Sequence, residues 1–184
     1  MKTIPKRRAP SAVRGKEGIY TRHSPDPLLS AYNLIVGLDQ SKSGTGWAIY
    51  RPSDGTWTSG VKSFKSIRHY PELFSAFVVW LTGRLKDLEG NILIVFEEAH
   101  HQGGAATLIG VGLAAMILGL SHELDCDCIS IHTGTLKKAA TGNGAAGKAD
   151  MVDRASEIAG RPVLDDNEAD AICLAWVAGG QIGN

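Results

Sequence analysis

Cysteine is scarce in this chain, and the few cysteines present do not form paired motifs. Cys126, Cys128 and Cys173 are the three cysteines among 184 residues, and none belongs to a Cys-x-x-Cys pair. An odd number of cysteines without such pairs fits reduced thiols, and it indicates neither a disulfide framework nor a zinc site. The adjacent His100 and His101 lack spaced ligand partners, so we expect them in a loop or on the surface.

An excess of either charge is also missing, because 19 basic and 19 acidic residues give a formal net charge of zero. Proteins that bind nucleic acid usually carry a visible basic excess, so the average argues against such a partner. The distribution, however, is uneven. Residues 1–22 carry a charge of +6 and the remainder carries −6. The basic residues of this stretch are Lys2, Lys6, Arg7, Arg8, Arg14, Lys16 and Arg22.

Residues 1–32 are therefore predicted to form a flexible basic arm ahead of an acidic body. The arm contains Pro5, Pro10, Pro25 and Pro27 and almost no periodic apolar pattern, so it buries too little surface to offset the entropy of ordering. Two interpretations stay open for it: a tether for DNA phosphates, or a solvated tail without a specific role.

No apolar run is long enough to predict a membrane span. The longest, residues 105–120, is shorter than the roughly 18 to 20 residues required and is followed directly by Ser, His and Glu. We predict a buried helix there. Its glycines and alanines allow a second helix to approach closely, either within the chain or across a dimer. Residues 20–29 are broken by charge and proline, which argues against a secretory signal, so we expect an intracellular protein with no membrane partner.

From Asn33 onwards the pattern is that of a single α/β domain, residues 33–184. Strands are predicted at 34–38, 46–50, 55–64, 92–96 and 126–132, and helices at 70–88, 105–120, 148–159 and about 165–178. The first three strands should form an antiparallel meander, and the helix that follows should return the chain to the same sheet. The predicted fold is a mixed five-stranded sheet flanked by helices.

Acidic residues occupy positions that a core normally excludes. Asp39 and Glu97 each follow directly on a run typical of a buried strand, where an ionised carboxylate is costly unless it is paired or binds a metal. A third cluster opens the last helix, where Asp166 and Asp170 share one face. An acid at Asp165 or Asp166 can be a helix cap, but that explanation does not cover Asp170.

Three acidic clusters at the ends of neighbouring elements predict a site for a hard cation. Carboxylate oxygens suit Mg²⁺ or Mn²⁺. Two such ions about 4 Å apart can activate a water and stabilise the leaving oxygen in phosphodiester cleavage. The acids therefore indicate a metal-dependent nuclease.

At these residues the sequence resembles the RuvC family of Holliday-junction resolvases, which belongs to the RNase H-like superfamily. The family has an Asp at the end of its first strand, Thr-Gly opening the second, an acid ending the fourth, a loop with Lys, Gly-x-Gly-x-Ala and Lys, and a closing acidic helix. Residues 37–48 match the first Asp and the Thr-Gly, and residues 94–97 match the acid of the fourth strand, with Glu98 as the alternative acid. Lys137, residues 142–146 and Lys148 match the loop, and residues 166–171 match the closing helix.

The resemblance implies an RNase H-like fold, a homodimer, and paired nicks in a four-way DNA junction by two Mg²⁺ ions per site, for which Mn²⁺ can substitute. By this resemblance Asp39 bridges the ions, Glu97 binds one, and Asp170 with Asp166 binds the other. Lys148 stabilises charge on the phosphate being cut.

Two lysines earlier in the loop, Lys137 and Lys138, are expected to hold the DNA backbone nearby. The family usually has an acid or His three residues before the last Asp, a position taken here by Asn167. The fourth ligand is therefore open among Asp166, Asn167 and Asp165. Asp166 stands four residues before Asp170, and this spacing resembles that of other resolvase-like proteins, including phage forms.

Two alternative functions accompany the resolvase. One is an RNase H-like nuclease for other branched DNA or structured RNA, and the other is a catalytically silent relative that binds junctions. Retention of Asp39, Glu97 and Asp170 argues against the silent protein, since losing buried acids that repel one another would stabilise it.

Overall fold

The computed structural model describes residues 32–99 and 103–180. The predicted basic arm, apart from Tyr32, and the His100–His101 pair lie outside the described residues. Within the described ranges the five strands are β1 (Leu34–Asp39), β2 (Thr45–Arg51), β3 (Thr56–Lys62), β4 (Ile92–Glu97) and β5 (Asp127–Ile131). The helices are α1 (Tyr70–Leu85), α2 (Gly104–Glu123), α3 (Thr133–Thr141), α4 (Lys148–Ala159) and α5 (Asp166–Ala178).

The strands form one mixed sheet in the order β3-β2-β1-β4-β5. β1 pairs antiparallel with β2, and β2 with β3, whereas β4 is parallel to both β1 and β5. The predicted meander and the crossover through α1 are thus confirmed. Because β1, β4 and β5 run the same way, their carboxyl ends meet at one edge of the sheet, which we call the carboxyl edge.

Helix α3 is a correction to the sequence prediction, which treated the segment around Lys137 and Lys138 as a loop. Leu136 and Ala140 are buried one turn apart, and the His132 side chain caps the first turn by accepting a hydrogen bond from the backbone NH of Gly134. Gly142 ends the helix in the left-handed conformation, with φ of 81°. Two buried positions in nine residues are too few to give a clear helical period, so tertiary packing defines this element.

Alternation along the strands divides the core into two layers. In β1, Leu34, Val36 and Leu38 pack on the side of α1 and α2, whereas Ile35 packs on the side of α3, α4 and α5. In β4, Ile94 and Phe96 face the first layer, and Leu93 and Val95 face the second. Because side chains alternate with a period of two, Asp39 and Glu97 both belong to the face covered by α5.

Glycines let α5 lie directly on the sheet. A β-carbon at Gly37 would lie 2.0 Å from the carbonyl oxygen of Ala171, and one at Gly46 would lie 1.8 Å from that of Asn167. Both distances are far shorter than any normal contact, so only glycine permits this approach. The two glycines bring the amino end of α5 to the carboxyl edge of the sheet.

The structure corrects the prediction that residues 105–120 form a buried helix. α2 contacts α1 and β5, and its buried residues are Leu113, Ile117, Leu120 and Ser121. Leu108, Val111 and Leu118 are about half exposed. An apolar helix without a polar face carries no signal for which side is buried, and here one side stays uncovered. By length and composition α2 could cross a membrane, but a single such helix is weak evidence, since core helices pass the same test.

Candidate active site

Two of the predicted acids end neighbouring parallel strands. Leu38 of β1 is paired with Phe96 of β4, so Asp39 and Glu97 follow at the same level of the carboxyl edge. The side-chain amide of Gln40 donates a 2.6 Å hydrogen bond to the carbonyl oxygen of Glu97, which ties the two strand ends together. The alternative acid, Glu98, lies beyond the strand.

The third acidic cluster divides into residues with different surroundings. Asp165 caps α5: its Oδ1 accepts hydrogen bonds from the backbone NH groups of Asn167 (2.9 Å) and Glu168 (3.3 Å) and from the Asn167 side chain (3.0 Å). Asp166 is about one-third exposed and forms an ion pair with Lys148. Asp170 lies one turn further along the same face, and in the described part of the chain its buried Oδ1 atom has no hydrogen-bond partner.

The pKa values show that these acids lie within electrostatic reach of one another. Burial, followed by repulsion from Glu97, Asp170, Asp166 and Asp165, raises the pKa of Asp39 to about 8. Burial and then repulsion from Glu97 raise the pKa of Asp170 to about 6. A cation placed among these carboxylates would attract each of them and so lower their pKa values, because it favours the ionised forms.

A hydroxyl from α3 orients Glu97. The Thr133 Oγ1 hydroxyl donates a short hydrogen bond to Oε1 of Glu97. Thr133 stands at the first turn of α3, immediately after β5. The helix absent from the sequence prediction thus supplies a direct contact to one of the predicted acids. Nothing in the local sequence signals this contact, because it depends on how β5 lies beside β4.

The predicted lysines have three different placements. Lys148 is exposed and bonds to Asp166, which raises the pKa of the lysine and lowers that of the acid. Lys137 is half buried in α3, and its charge opposes the upward shift of the pKa of Asp170. Lys138 is exposed, and since it follows Lys137 by about 100° around the helix it faces elsewhere. The structure therefore brings Lys137 and Lys148 to the acids, and not Lys138.

The donor set fits a hard divalent cation by its chemistry. Asp39, Glu97 and Asp170 supply carboxylate oxygens only, and the buried Oδ1 of Asp170 lacks a partner among the described residues, as an oxygen meant for a cation would. As placed, no three Asp, Glu, His or Cys side chains within residues 32–99 and 103–180 form a ready-made metal site. Closure of the carboxylates around an ion would therefore require side-chain rotation.

A cleft of about 460 Å³ opens beside the acids, between the β1–β2 turn and the first half of α2. Asp39, Glu97 and Glu98 line it together with Lys42 and Lys65. Neither lysine was singled out by the sequence, since each lies in a polar turn where a charged residue is ordinary.

Comparison with known proteins finds solved structures of similar architecture. No protein-family model and no curated protein matches the sequence. Among solved structures, RuvC of Thermus thermophilus aligns at a TM-score of 0.63 with 15% identity, covering 78% of this chain and 92% of that one. The structure of T. thermophilus RuvC in complex with Holliday junction substrate aligns at 0.66 with 12% identity, covering 78% and 91%. The predicted resemblance is confirmed at the level of architecture, and this protein has the RuvC-like α/β fold.

Proposed function

We propose that this protein is a metal-dependent endonuclease that nicks four-way DNA junctions symmetrically. The observation that carries the proposal is the convergence of Asp39, Glu97 and Asp170 at one edge of a RuvC-like sheet, where the pKa values of both aspartates are raised. Raised pKa values from burial and a charged neighbour are typical of functional sites. An aligned RuvC structure holds a Holliday junction, which makes branched DNA the first substrate to test.

In this proposal Asp39, Glu97 and Asp170 hold two Mg²⁺ ions, for which Mn²⁺ can substitute. Asp166 is the fourth ligand, because Asp165 is engaged in the helix cap and the side chain of Asn167 bonds to Asp165. When bound, the ions supply an activated water and stabilise the leaving oxygen of the phosphodiester.

The protein's own side chains orient these groups and bind the substrate. Thr133 holds the Glu97 carboxylate in one orientation, and Gln40 holds the end of β4 against the end of β1. Lys148 pairs with Asp166, and with Asp166 engaged as a ligand its ammonium group would be available to bind a phosphate oxygen of the DNA. Lys137 stands beside Asp170 and contributes positive charge next to the phosphate.

The proposal includes a homodimer that joins through α2. The exposed apolar residues Leu108, Val111 and Leu118 follow one another at helical spacing, and Ala115 lies between them on the same face. A contiguous apolar stripe of this kind marks an interaction surface, and a helix face can pack on its own copy about a two-fold axis. Two symmetry-related sites then act on two strands of a junction. A substrate of this kind arises inside the cell, which is where the proposed protein works.

The test is cleavage of a labelled synthetic four-way junction beside matched duplex, single-strand, flap and RNA-containing substrates, with Mg²⁺ or Mn²⁺. Wild type is compared with Asp39→Asn and with Asp87→Asn, an exposed acid just past the end of α1. Symmetric nicks confined to the junction, lost in Asp39→Asn and kept in Asp87→Asn, would support the resolvase. Equal cutting of flaps or RNA would move the function to broader processing, and tight binding without cutting would contradict the enzyme.

A further inference from the structure

The cleft that Asp39 and Glu97 line lies on the opposite side of these acids from Lys137 and Lys148. Lys137 and Lys148 stand on α3 and α4, in the layer that covers one face of the sheet. The cleft is walled by α2, through Ala106, Ile109 and Gly110, and so extends toward the other layer. A DNA strand that crosses the acids from the side of α4 and continues toward α2 would reach this cleft.

Hydrogen bonds hold the two lysines of the cleft, Lys42 and Lys65, on a common rim. The backbone NH of Phe64 donates to the carbonyl oxygen of Lys42 at 3.1 Å, and the Ser63 hydroxyl donates to the carbonyl oxygen of Ser43 at 2.9 Å. The β1–β2 turn is therefore attached to the segment that follows β3, which places Lys65 beside Lys42.

Side-chain hydrogen bonds close the β1–β2 turn. The Thr45 hydroxyl donates to the carbonyl oxygen of Ser41 at 2.7 Å, and the Ser41 hydroxyl donates to the carbonyl oxygen of Gly44 at 3.1 Å. Thr45 is fully buried. A turn closed by its own side chains fixes the backbone from which Lys42 extends, so that binding does not have to order this backbone.

Both ammonium groups are available for an anion. The ion pairs of the described residues involve neither Lys42 nor Lys65, although Asp39, Glu97 and Glu98 line the same cleft. Without cations, the carboxylates of the cleft offset the charge of its two ammonium groups, so the cleft has no positive charge with which to attract a polyanion. With divalent cations on the acids the balance becomes positive, and the cleft then attracts a phosphodiester strand.

We propose that Lys42 and Lys65 bind the sugar–phosphate backbone of the DNA strand being cut, on the side of the acids opposite to Lys148. This inference rests on the proposed nuclease function and adds the path of the substrate. The strand passes over the carboxyl edge of the sheet, with Lys148 and Lys137 on one flank and Lys42 and Lys65 on the other. The lysine ammonium group acts as a point charge that attracts phosphates, so this contact does not depend on the base sequence.

The experiment measures binding of the full chain to a labelled four-way junction, in Ca²⁺, between 50 and 250 mM NaCl. The variant is Lys42→Gln with Lys65→Gln. The matched control is Arg51→Gln with Lys86→Gln, which removes the same charge from exposed positions at the end of β2 and just past α1. Melting temperatures of both variants establish that each is folded.

We expect the Lys42/Lys65 variant to lose about 10-fold in affinity at 150 mM salt. Each phosphate contact contributes about 0.7 to 0.9 to the slope of log K against log salt, so this slope should fall by about 1.4 to 1.8. The control should keep the wild-type slope, and each single Lys→Gln variant should lose about half of the difference.

A wild-type slope in the Lys42/Lys65 variant, with junction binding and cleavage intact, would overturn this inference and leave the nuclease standing. The same slope loss in the control would also overturn it, since charge at any position would then suffice. Failure of the wild type to bind or cut any branched DNA would overturn the inference and the proposed function together.

Discussion

The hydroxyl of Thr133 donates a short hydrogen bond to Oε1 of Glu97, and so joins the first turn of α3 to the end of β4. A carboxylate on the last residue of a strand can rotate freely unless a neighbour holds it. Thr133 is half buried and replaces that freedom with one orientation. We infer that Thr133 is a positioning residue that acts through Glu97.

Replacement of Thr133 by valine keeps the shape of the side chain and removes the hydrogen bond. A hydrogen bond to a charged group contributes about 1.5 to 3 kcal/mol, so we expect the metal concentration for half-maximal cleavage to rise by about 10-fold or more. Thr133→Ser retains the hydroxyl and should restore the wild-type value. Metal titrations of the junction-cleavage rate provide the measurement. Equal metal dependence in the valine and serine variants would show that the hydroxyl has no positioning role.

Replacement of Asp39 by asparagine should stabilise the protein in the absence of divalent cations. The pKa of Asp39 is about 8 in the fold against 3.8 for the ordinary side chain, so folding favours the protonated acid. The wild-type stability from this group is present below pH 4 and is lost as the pH rises through 8. The advantage of the asparagine should therefore grow over this interval and reach a few kcal/mol, given about 1.4 kcal/mol per pKa unit.

Thermal melts in EDTA at pH 5, 7 and 8.5 measure this effect, with Asp87→Asn as the exposed control. We expect the Asp39→Asn melting temperature to exceed that of wild type at the highest pH, by about 2 to 4 °C for each kcal/mol gained. A variant that melts below wild type at pH 8.5 would contradict the electrostatic account of this site.

Metal affinity should rise with pH over the same range. The pKa values of Asp170, about 6, and Asp39, about 8, mean that protons must leave before both carboxylates can bind a cation. Calorimetric titration with Mn²⁺ in buffers of different ionisation enthalpy should detect proton release at pH 6.5 and little at pH 9. Affinity that does not vary between these pH values would show that neither acid binds the ion.

Replacement of Gly46 by alanine should damage both the fold and the site. The added β-carbon would meet the backbone of Asn167, so the amino end of α5 must move away from the sheet. We expect a loss of about 2 to 3 kcal/mol in unfolding free energy, as for other overpacked cores. Asp170 would move with the helix, so cleavage should fall as well.

Gly83 offers the matched control for this experiment. It lies within α1, where an added β-carbon meets nothing within 4 Å. Gly83→Ala should stabilise the protein by about 0.5 to 1 kcal/mol, because alanine favours a helix interior. Urea unfolding of both variants makes the comparison. An equal effect in the two variants would rule out the close approach of α5 as the cause.

A charge on the exposed face of α2 should separate the proposed dimer. Leu118 is half exposed and lies in the apolar stripe, so Leu118→Glu would bury a carboxylate at the interface. Val79 on α1 is 70% exposed outside the stripe, and Val79→Glu serves as the control. Sedimentation at equilibrium should give a dimer for wild type and the control and a monomer for Leu118→Glu. A monomeric wild type would contradict the dimer.

Much of the framework could be read from local patterns. The runs before Asp39 and Glu97 are short continuous apolar segments that end in an acid. Such a segment is typical of a strand in the middle of a sheet, where both faces of the strand are covered by other elements. The helix from 166 begins after an acidic cap and continues through apolar residues, which is sufficient to place it in the core. The segment around Thr133 lacks any such pattern, so α3 was missed.

Local patterns in the sequence were sufficient to predict the strands, most helices and the acids of the candidate site, because continuous apolar runs and their ends mark where strands and core helices begin and stop. The separate surroundings of the three aspartates around α5 became visible in the folded chain alone. Asp165, Asp166 and Asp170 belong to one short acidic segment, yet Asp165 caps a helix, Asp166 pairs with Lys148 and Asp170 is half-buried within electrostatic reach of Asp39. The open face of α2 and the rim formed by Lys42 and Lys65 were decided in the same way. Such differences arise from contacts between segments distant in the chain, and local patterns carry no record of them.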